Sequence, residues 1–295
     1  MTVRPPRIQP FTAIVRRCRR LLPAAVVLSS VAACARDHRR ESTSPRGEIR
    51  ITATDEGFEL PDSVSAGLVH VIFENHGSTI HEVMFIKLPE GMDAEDYLSE
   101  VRGGTAFPKG ALDYSGPGLT SPGGQVEQWL HLDPGRYLLA CWFRGHLKAI
   151  PPRTLTVSAS ASREAAPPAE NVVLRLVDFH FEVKGRFASG AQVVRVEAVG
   201  PSLHEVDVFR LHRGKSLADL RAWHAGGKVG PAPADAVGGV LDSHRIPTVV
   251  WLRSTFRPGR YVLWCGMDMV PDAPQPANSA THADAGMLLE FEVTS

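Results

Sequence analysis

Short runs of alternating apolar and polar residues recur along most of the chain, and turn residues separate them. Alternation with a period of two is typical of half-buried β-strands. The runs lie at 70–74, 82–86 and 137–141 in the first half, and at 192–197, 205–211 and 261–265 in the second. Pro134 and Gly135 form a strong turn signal directly before the run that ends at Cys141. This pattern predicts an all-β protein.

Two short helical segments interrupt these strands at corresponding places. Asp93 and Ser216 are candidate N-caps for helices over 94–101 and 217–225, and glycines follow each segment. We therefore expect one inserted helix between the early and the late strands of each half.

The chain repeats itself once, with an offset of 123 or 124 residues between matching landmarks. The matches are residues 51–58 with 174–181, His81-Glu82-Val83 with His204-Glu205-Val206, residues 134–137 with 258–261, and Cys141 with Cys265. Residues 159–170 are small, polar and rich in alanine and proline, which is typical of a linker. The repeat predicts two domains, 48–158 and 171–295, each with its own core.

The N-terminal segment has the features of an export signal. Four arginines, at positions 16, 17, 19 and 20, precede an apolar run from Leu21 to Ala33 that is too short to span a bilayer comfortably. The run ends at Cys34 in a pattern that resembles the bacterial lipobox, in which the cysteine is lipidated. The alternative is a conventional cleavage site with Cys34 incidental. Residues 1–34 are thus predicted to be a signal peptide and 35–47 a tether to membrane lipid, placing the protein in the periplasm or at the cell surface.

Composition narrows the remaining function classes. The 295 residues carry a formal net charge of zero, which argues against a nucleic-acid binder. The four cysteines stand in different contexts and do not indicate a disulfide framework. A bridge between Cys141 and Cys265 is the structural alternative for those two residues, although each lies at the same place in its own repeat.

The ordered landmarks resemble those of the cupredoxin superfamily, the relatives of plastocyanin and azurin. In these proteins an upstream histidine precedes a strand, and a Pro-Gly-x-Tyr turn leads into a second strand that ends in cysteine, histidine and methionine. The resemblance covers nearly all of residues 48–295, in two copies. It implies two tandem Greek-key cupredoxin-like β-sandwiches, each with its inserted helix, and copper held at type 1 sites by one thiolate, two imidazoles and a weak axial ligand.

The second repeat carries the complete ligand set that the resemblance implies: His204, Cys265, His282 and Met287. His282 and Met287 have the His-x4-Met spacing of plastocyanin-like proteins. The 16 residues between Cys265 and His282 depart from the family, in which this loop is much shorter. Such a loop either folds back and delivers His282 or leaves the site open.

The first repeat carries His81, Cys141 and His146, with the Cys-x4-His spacing of azurin-like sites. Ile150 and Pro151 occupy the positions where an axial methionine would fall. A trigonal site without an axial donor is expected to favour Cu(I) and to have a raised reduction potential.

Enzymes with two such domains hold further copper ions through His-x-His and His-Cys-His motifs, and neither motif occurs in this chain. His131, His180, His224 and His244 are scattered, so we expect them to be solvated or structural. On these grounds the sequence predicts no catalytic residues and a protein that is not an enzyme.

Two hypotheses follow. In the first, the protein is a lipid-anchored copper protein that transfers electrons to a partner the sequence does not identify. In the second, it is a metal-free cupredoxin scaffold that acts as an extracytoplasmic interaction module, with the histidines and cysteines serving ordinary structural roles.

Overall fold

The computed structural model describes residues 47–159, 166–245, 247–269 and 279–295. The predicted signal peptide, Cys34 and most of the tether lie outside these residues, as does part of the predicted linker. Among the described residues, no helix is both long enough and apolar enough to cross a membrane.

The first repeat consists of strands with one inserted helix and one helical turn. Its elements are β1 (Glu48–Thr54), β2 (Gly57–Glu59), β3 (Ser63–Ser65), β4 (Gly67–Asn75), β5 (Met84–Lys87), α1 (Ala94–Arg102), β6 (Leu112–Asp113), β7 (Gln125–Leu132), β8 (Gly135–Ala140), α2 (His146–Ala149) and β9 (Arg153–Ser158). The Asp93 side chain accepts hydrogen bonds from the backbone of Glu95 and Asp96, so α1 begins at the predicted cap.

The second repeat follows the same order, except that the described residues contain no counterpart of β3 or α2. Its elements are β10 (Val172–Val177), β11 (His180–Lys184), β12 (Gly190–Ala198), β13 (Val206–Leu211), α3 (Leu217–Ala225), β14 (Ala234–Val240), β15 (Thr248–Phe256), β16 (Gly259–Trp264) and β17 (Leu288–Val293). Ser216 and Asp219 form a capping box at the start of α3. The predicted all-β class, with a short helix inserted in each repeat, is confirmed.

The strands form three sheets. Two of them belong to single repeats, with strand orders β3-β9-β8-β5-β6 and β14-β13-β16-β17. The third has the order β11-β10-β12-β15-β7-β4-β1-β2 and joins the two repeats, because β15 pairs with β7 and places Trp251 opposite Trp129. The repeats are therefore connected by backbone hydrogen bonds as well as by the chain between them.

A loop of the first repeat adds to this connection. The backbone N–H of Gly118 donates to the carbonyl of Gly239, and the Ser115 hydroxyl donates to the carbonyl of Leu241. Buried apolar side chains of both repeats also form one continuous cluster. The predicted boundaries at 48–158 and 171–295 remain a prediction, since a shared sheet does not decide whether each repeat folds alone.

The turn before each cysteine strand is built in the same way in both repeats. Gly135 and Gly259 both have φ of +151°, a conformation that other residues rarely adopt. The Tyr137 hydroxyl donates to the carbonyl of Asp133, and the Tyr261 hydroxyl donates to that of Arg257, each at 2.9 Å. The Pro-Gly-x-Tyr motif thus ties the start of β8 and of β16 to the preceding loop.

Candidate metal sites

Two clusters of metal-binding side chains lie in equivalent places in the two repeats. Site 1 consists of His81, Cys141 and His146, and site 2 of His204, Cys265 and His282. In each cluster the nitrogen and sulfur donor atoms all lie within 4.8 Å of one another. The structure thus brings together the six histidines and cysteines that the sequence singled out.

Strand pairing produces this proximity. Cys141 directly follows β8 and Cys265 directly follows β16. Their antiparallel partners are β5 and β13, which begin just after the upstream histidines. Because the end of one strand lies beside the start of its antiparallel partner, His81 and His204 are held next to the cysteines.

Site 2 is fully enclosed. The Nδ1 atoms of His204 and His282 are 3.0 Å apart, and the Cys265 sulfur lies 3.4 Å from His282 Nδ1. Phe179 packs edge-on against both histidine rings. Met287 is buried, its N–H donates to the carbonyl of His282, and its carbonyl accepts the N–H of Cys265. Donors spaced like this can share one ion about 2.0–2.3 Å from each nitrogen and sulfur.

The long loop after Cys265 does not prevent this arrangement. Asp268 pairs with Thr281, and the N–H of Met269 donates to the carbonyl of Ala280. The N–H of His282 donates to the carbonyl of Met267 at 2.9 Å. These contacts form a short stem that returns the chain to the cysteine, while residues 270–278 lie outside the described residues. Of the two alternatives that the sequence left open, the structure shows the one in which His282 is delivered.

Site 1 is more open and has no thioether at the equivalent place. The Cys141 sulfur lies 3.3 Å from His146 Nδ1, and the rings of His81 and His146 are 4.7 Å apart between centroids. The N–H of Ile150 donates to the carbonyl of His146, as that of Met287 does to His282. Ile150 thus takes the place of the methionine, as predicted.

An unpartnered buried atom indicates that site 1 is built for a ligand. His81 Nδ1 is buried and has no hydrogen-bond partner among the described residues, although buried polar atoms are normally paired. It is the same ring atom that faces the centre of site 2 in His204. One thiolate and two imidazoles are a donor set that suits copper in both oxidation states, so the residues present fit this metal.

Ionisation of the metal-free side chains follows from their burial. Desolvation raises the pKa of Cys141 to about 12 and also raises that of Cys265, so both are thiols at neutral pH. Desolvation lowers the pKa of His282 to about 4 and also lowers that of His204. Both cysteines are free, which excludes the alternative bridge between them. The imidazoles are therefore ready to bind a metal, whereas each thiol must first lose its proton.

Two glutamates, the buried Glu82 and the half-buried Glu205, support the sites, and the sequence analysis gave them no role. Glu205 follows His204, and its Oε1 accepts the N–H of Gly266 at 3.1 Å, next to Cys265. In the first repeat, Glu82 accepts the corresponding backbone hydrogen bond from Trp142. The His-Glu-Val motif recurs in both repeats, and this recurrence was the signal that could have identified the glutamates. Each links the segment of the upstream histidine to the residue after the cysteine.

Two aspartates were also without a predicted role. Asp178 Oδ1 lies 2.9 Å from His204 Nε2, and Asp55 Oδ1 lies 3.5 Å from His81 Nε2. Both belong to the repeated landmarks at 51–58 and 174–181. The remaining histidines named above, at positions 131, 180, 224 and 244, belong to neither metal site.

No protein-family model matches the chain, and no curated protein matches it. Among solved structures it is similar to the reduced auracyanin of Roseiflexus castenholzii, with 19% identity over 39% of this chain and 99% of that one, at a TM-score of 0.31. It is also similar to auracyanin A, a blue copper protein of Chloroflexus aurantiacus (21% identity, 38% and 100% coverage, TM-score 0.28). A blue copper oxidase of Nitrosomonas europaea matches at 12% identity over 84% of this chain and 86% of that one, with a TM-score of 0.23.

At 12–21% identity and TM-scores of 0.23–0.31, these similarities carry no role over to this chain. One expectation is nevertheless corrected. The sequence predicted that the protein is not an enzyme, but multicopper oxidases, which are enzymes, are among the similar structures. The missing His-x-His and His-Cys-His motifs concern one arrangement of additional copper ions, and they give no ground for excluding catalysis in general.

Proposed function

We propose that this protein is an exported, lipid-anchored copper protein that transfers electrons at two type 1-like sites. The observation that carries the proposal is the pair of His-Cys-His clusters, each of which joins an upstream histidine to a buried cysteine and a histidine late in the same repeat. In each repeat the three donors lie within 4.8 Å of one another, which is close enough for one ion to be shared among them.

Bound copper would supply one-electron chemistry by alternating between Cu(I) and Cu(II). The chain's own residues would hold the ion and exclude water from it. At site 2, His204, Cys265 and His282 would bind the ion, and the buried Met287 would supply a weaker thioether donor. At site 1, His81, Cys141 and His146 would do so without a thioether. Site 1 should therefore have the higher reduction potential, because an additional thioether donor would favour the oxidised ion.

Reconstitution with copper tests the proposal. Residues 41–295 form one compact unit and can be prepared without the signal segment. We expect two copper ions per chain and an intense visible thiolate-to-copper charge-transfer band. Cys141→Ser and Cys265→Ser should each remove one ion and the corresponding part of the band.

The residues at positions 287 and 150 have their own test. Met287→Leu should keep the band but raise the potential of site 2, and Ile150→Met should lower that of site 1. Met267→Leu serves as a matched control, since Met267 packs partly buried against the same core. Fewer than one copper per two chains, with no thiolate band, would reject the copper proposal in favour of the metal-free scaffold.

The location of the protein is tested separately. The lipobox-like end of the signal segment supports lipidation of Cys34, and a diacyl modification would anchor the chain stably, whereas one acyl chain holds weakly. Cys34→Ala should release the protein from the membrane fraction or block its maturation. Membrane fractionation identical to that of the unaltered protein would contradict the anchor.

A further inference from the structure

An aspartate in a tight hairpin lies next to the Nε2 atom of each upstream histidine, His204 and His81. Asp178 lies in the two-residue turn between β10 and β11, and Asp55 in the corresponding turn between β1 and β2. The imidazoles of His204 and His81 are completely or almost completely buried, whereas the aspartates are partly exposed. The ring atom that each aspartate reaches is Nε2, on the far side of the ring from the metal site.

A glycine makes room for this contact in both repeats. A Cβ atom on Gly77 would lie 2.6 Å from His81 Nε2 and 2.7 Å from Asp55 Oδ1. A Cβ atom on Gly200 would lie 2.4 Å from Asp178 Oδ1. Real Cβ atoms do not approach so closely, so any other residue would displace the aspartate carboxylate in either repeat and the His81 ring in the first. The aspartate, the glycine and the histidine all recur at an offset of 123 residues, which makes the arrangement a repeated unit.

The contact determines which ring nitrogen carries the proton. A carboxylate can only accept a hydrogen bond, so the histidine nitrogen that faces it must donate. A neutral imidazole carries one proton, and with that proton on Nε2 the lone pair is on Nδ1. In the second repeat, His204 Nδ1 faces His282, and Cys265 belongs to the same cluster. In the first repeat, His81 Nδ1 is the buried atom that has no hydrogen-bond partner among the described residues. A carboxylate behind a metal-binding histidine also increases the donor strength of the ring.

We propose that Asp178 and Asp55 are positioning residues that hold His204 and His81 in the Nε2–H tautomer and thereby direct Nδ1 at the metal. This inference rests on the proposed function for the identity of the metal, but the tautomer is a property of the metal-free protein. Each aspartate acts on the metal site through its histidine.

The Asp178–His204 contact is shorter than the Asp55–His81 contact, and a difference in sequence after the glycine explains why. Asp55 Oδ1 also accepts the backbone N–H of Ser78 at 2.9 Å, and its distance to the histidine is 3.5 Å. The residue after Gly200 is Pro201, which has no N–H. Among the described residues, the backbone N–H that Asp178 Oδ1 accepts is that of Ser202, at the longer distance of 3.4 Å, and Oδ1 lies 2.9 Å from His204. The positioning effect should therefore be larger at site 2 than at site 1.

The first experiment measures the tautomer in the metal-free protein, from the imidazole ¹⁵N shifts of His204. We expect the Nε2–H form in the unaltered protein. Asp178→Asn should keep it, because the amide oxygen can accept the same hydrogen bond, and Asp178→Ala should lose it. Asp235→Asn is a matched control, because Asp235 forms the same kind of pair with the exposed His212 at 2.8 Å, and His212 belongs to neither metal cluster. A predominant Nδ1–H form in the unaltered protein, or no change in Asp178→Ala, would overturn the inference.

The second experiment uses the copper-loaded chain. Asp178→Ala should weaken copper binding at site 2 by about 10–100-fold. Asp178→Asn should retain binding but raise the reduction potential, because removing a negative charge disfavours the oxidised ion. Asp55→Asn should shift the potential of site 1 by less. Pro201→Ser, which restores the competing N–H, should move site 2 in the same direction as Asp178→Asn.

The results separate the two proposals. If the tautomers behave as expected but no copper binds, the proposed function fails and the positioning role stands. If copper binds at both sites and Asp178→Ala changes neither the tautomer nor the affinity, the positioning role fails and the proposed function stands.

Discussion

At the scale of single residues, the metal sites consist of groups that burial keeps neutral. The thiols of Cys141 and Cys265 have raised pKa values, and the histidines that face them have lowered ones. Neutral groups can be packed into an apolar interior without a partner charge, whereas a lone thiolate cannot. The metal-free protein can therefore stay folded with these ligand side chains already buried close to one another.

Because the thiols are protonated in the metal-free protein, we expect protons to be released when a metal binds. Because both thiol pKa values lie above 7, binding of Cu(I) at neutral pH should release one proton per site. The apparent affinity of each site should then rise about tenfold per pH unit in this range. Calorimetric titrations in buffers of different ionisation enthalpy measure the released protons. Cys265→Ser should halve their number, and a release of none would show that the thiols do not bind the metal.

Glu82 predicts a pH dependence of stability. Its pKa rises from 4.5 to about 7 in the folded protein, because of desolvation first and the charge of Glu205 second. Between these two pH values the folded state binds more protons than the unfolded state, so stability falls as the pH rises. The full penalty, above pH 7, is about 3 kcal/mol.

The substitution Glu82→Gln removes this penalty and keeps an acceptor for the Trp142 N–H. In metal-free protein we expect it to be more stable than the unaltered protein at pH 8, with the advantage disappearing near pH 4. Denaturant unfolding at both pH values measures the difference. Glu90→Gln, at an exposed position, is the control. An advantage independent of pH would mean that Glu82 is not the titrating group.

At the scale of elements, α1 and α3 begin at equivalent capping residues but present different sequences. Asp93 and Ser216 both form capping boxes, which explains why the start of each helix was predictable from local sequence. Of these two helices, only α3 contains a tryptophan, Trp223. Its ring is buried and lies near that of Phe143, which packs against His146. Helix α3 thus contributes to the surroundings of site 1 from the second repeat.

The cap of α3 gives a prediction at this scale. Ser216→Ala should lower the free energy of unfolding by about 1 kcal/mol, because the Asp219 N–H loses its side-chain acceptor. Asp93→Ala should have a similar effect through α1. Ser189→Ala, at an exposed position outside the helices and strands, should change stability little. Equal stability of all three variants would show that the caps contribute nothing measurable.

At the scale of the whole molecule, the sheet that contains both β7 and β15 couples the two repeats. Backbone groups of one repeat form hydrogen bonds with backbone groups of the other, both where Trp129 lies opposite Trp251 and in the loop around Gly118. Asp207, buried in the second repeat, accepts the N–H of Leu119 from the first. Loss of structure in one repeat would leave these groups unpaired in the other, which is unfavourable.

We therefore expect residues 41–295 to unfold in one cooperative transition. Tryptophan fluorescence and far-ultraviolet circular dichroism should give the same midpoint. Copper bound at site 2 alone, in Cys141→Ser, should raise the midpoint of the whole transition, because a ligand that binds only the folded state stabilises everything that unfolds with it. Two separate transitions would instead support division of the chain at the linker into independently folding domains.

The sequence by itself determined the features that depend on local pattern and order. Alternating runs identified strands, caps identified α1 and α3, and the repeated order of histidine, turn and cysteine identified His81, Cys141, His204 and Cys265. His146 followed from its spacing after Cys141, and His282 followed from its spacing before Met287. These signals are short in range, so they can be read without knowing how distant segments meet.

Only the tertiary structure decided what depends on contacts between distant segments. The stem between Asp268 and Thr281 delivers His282, the shared sheet joins the repeats, and Asp178 reaches His204 across 26 residues. Residues such as Glu82 and Asp55 look like ordinary surface charges in the sequence. They gain a role because folding buries or aligns them against a ligand, and burial and alignment are properties of the packed molecule.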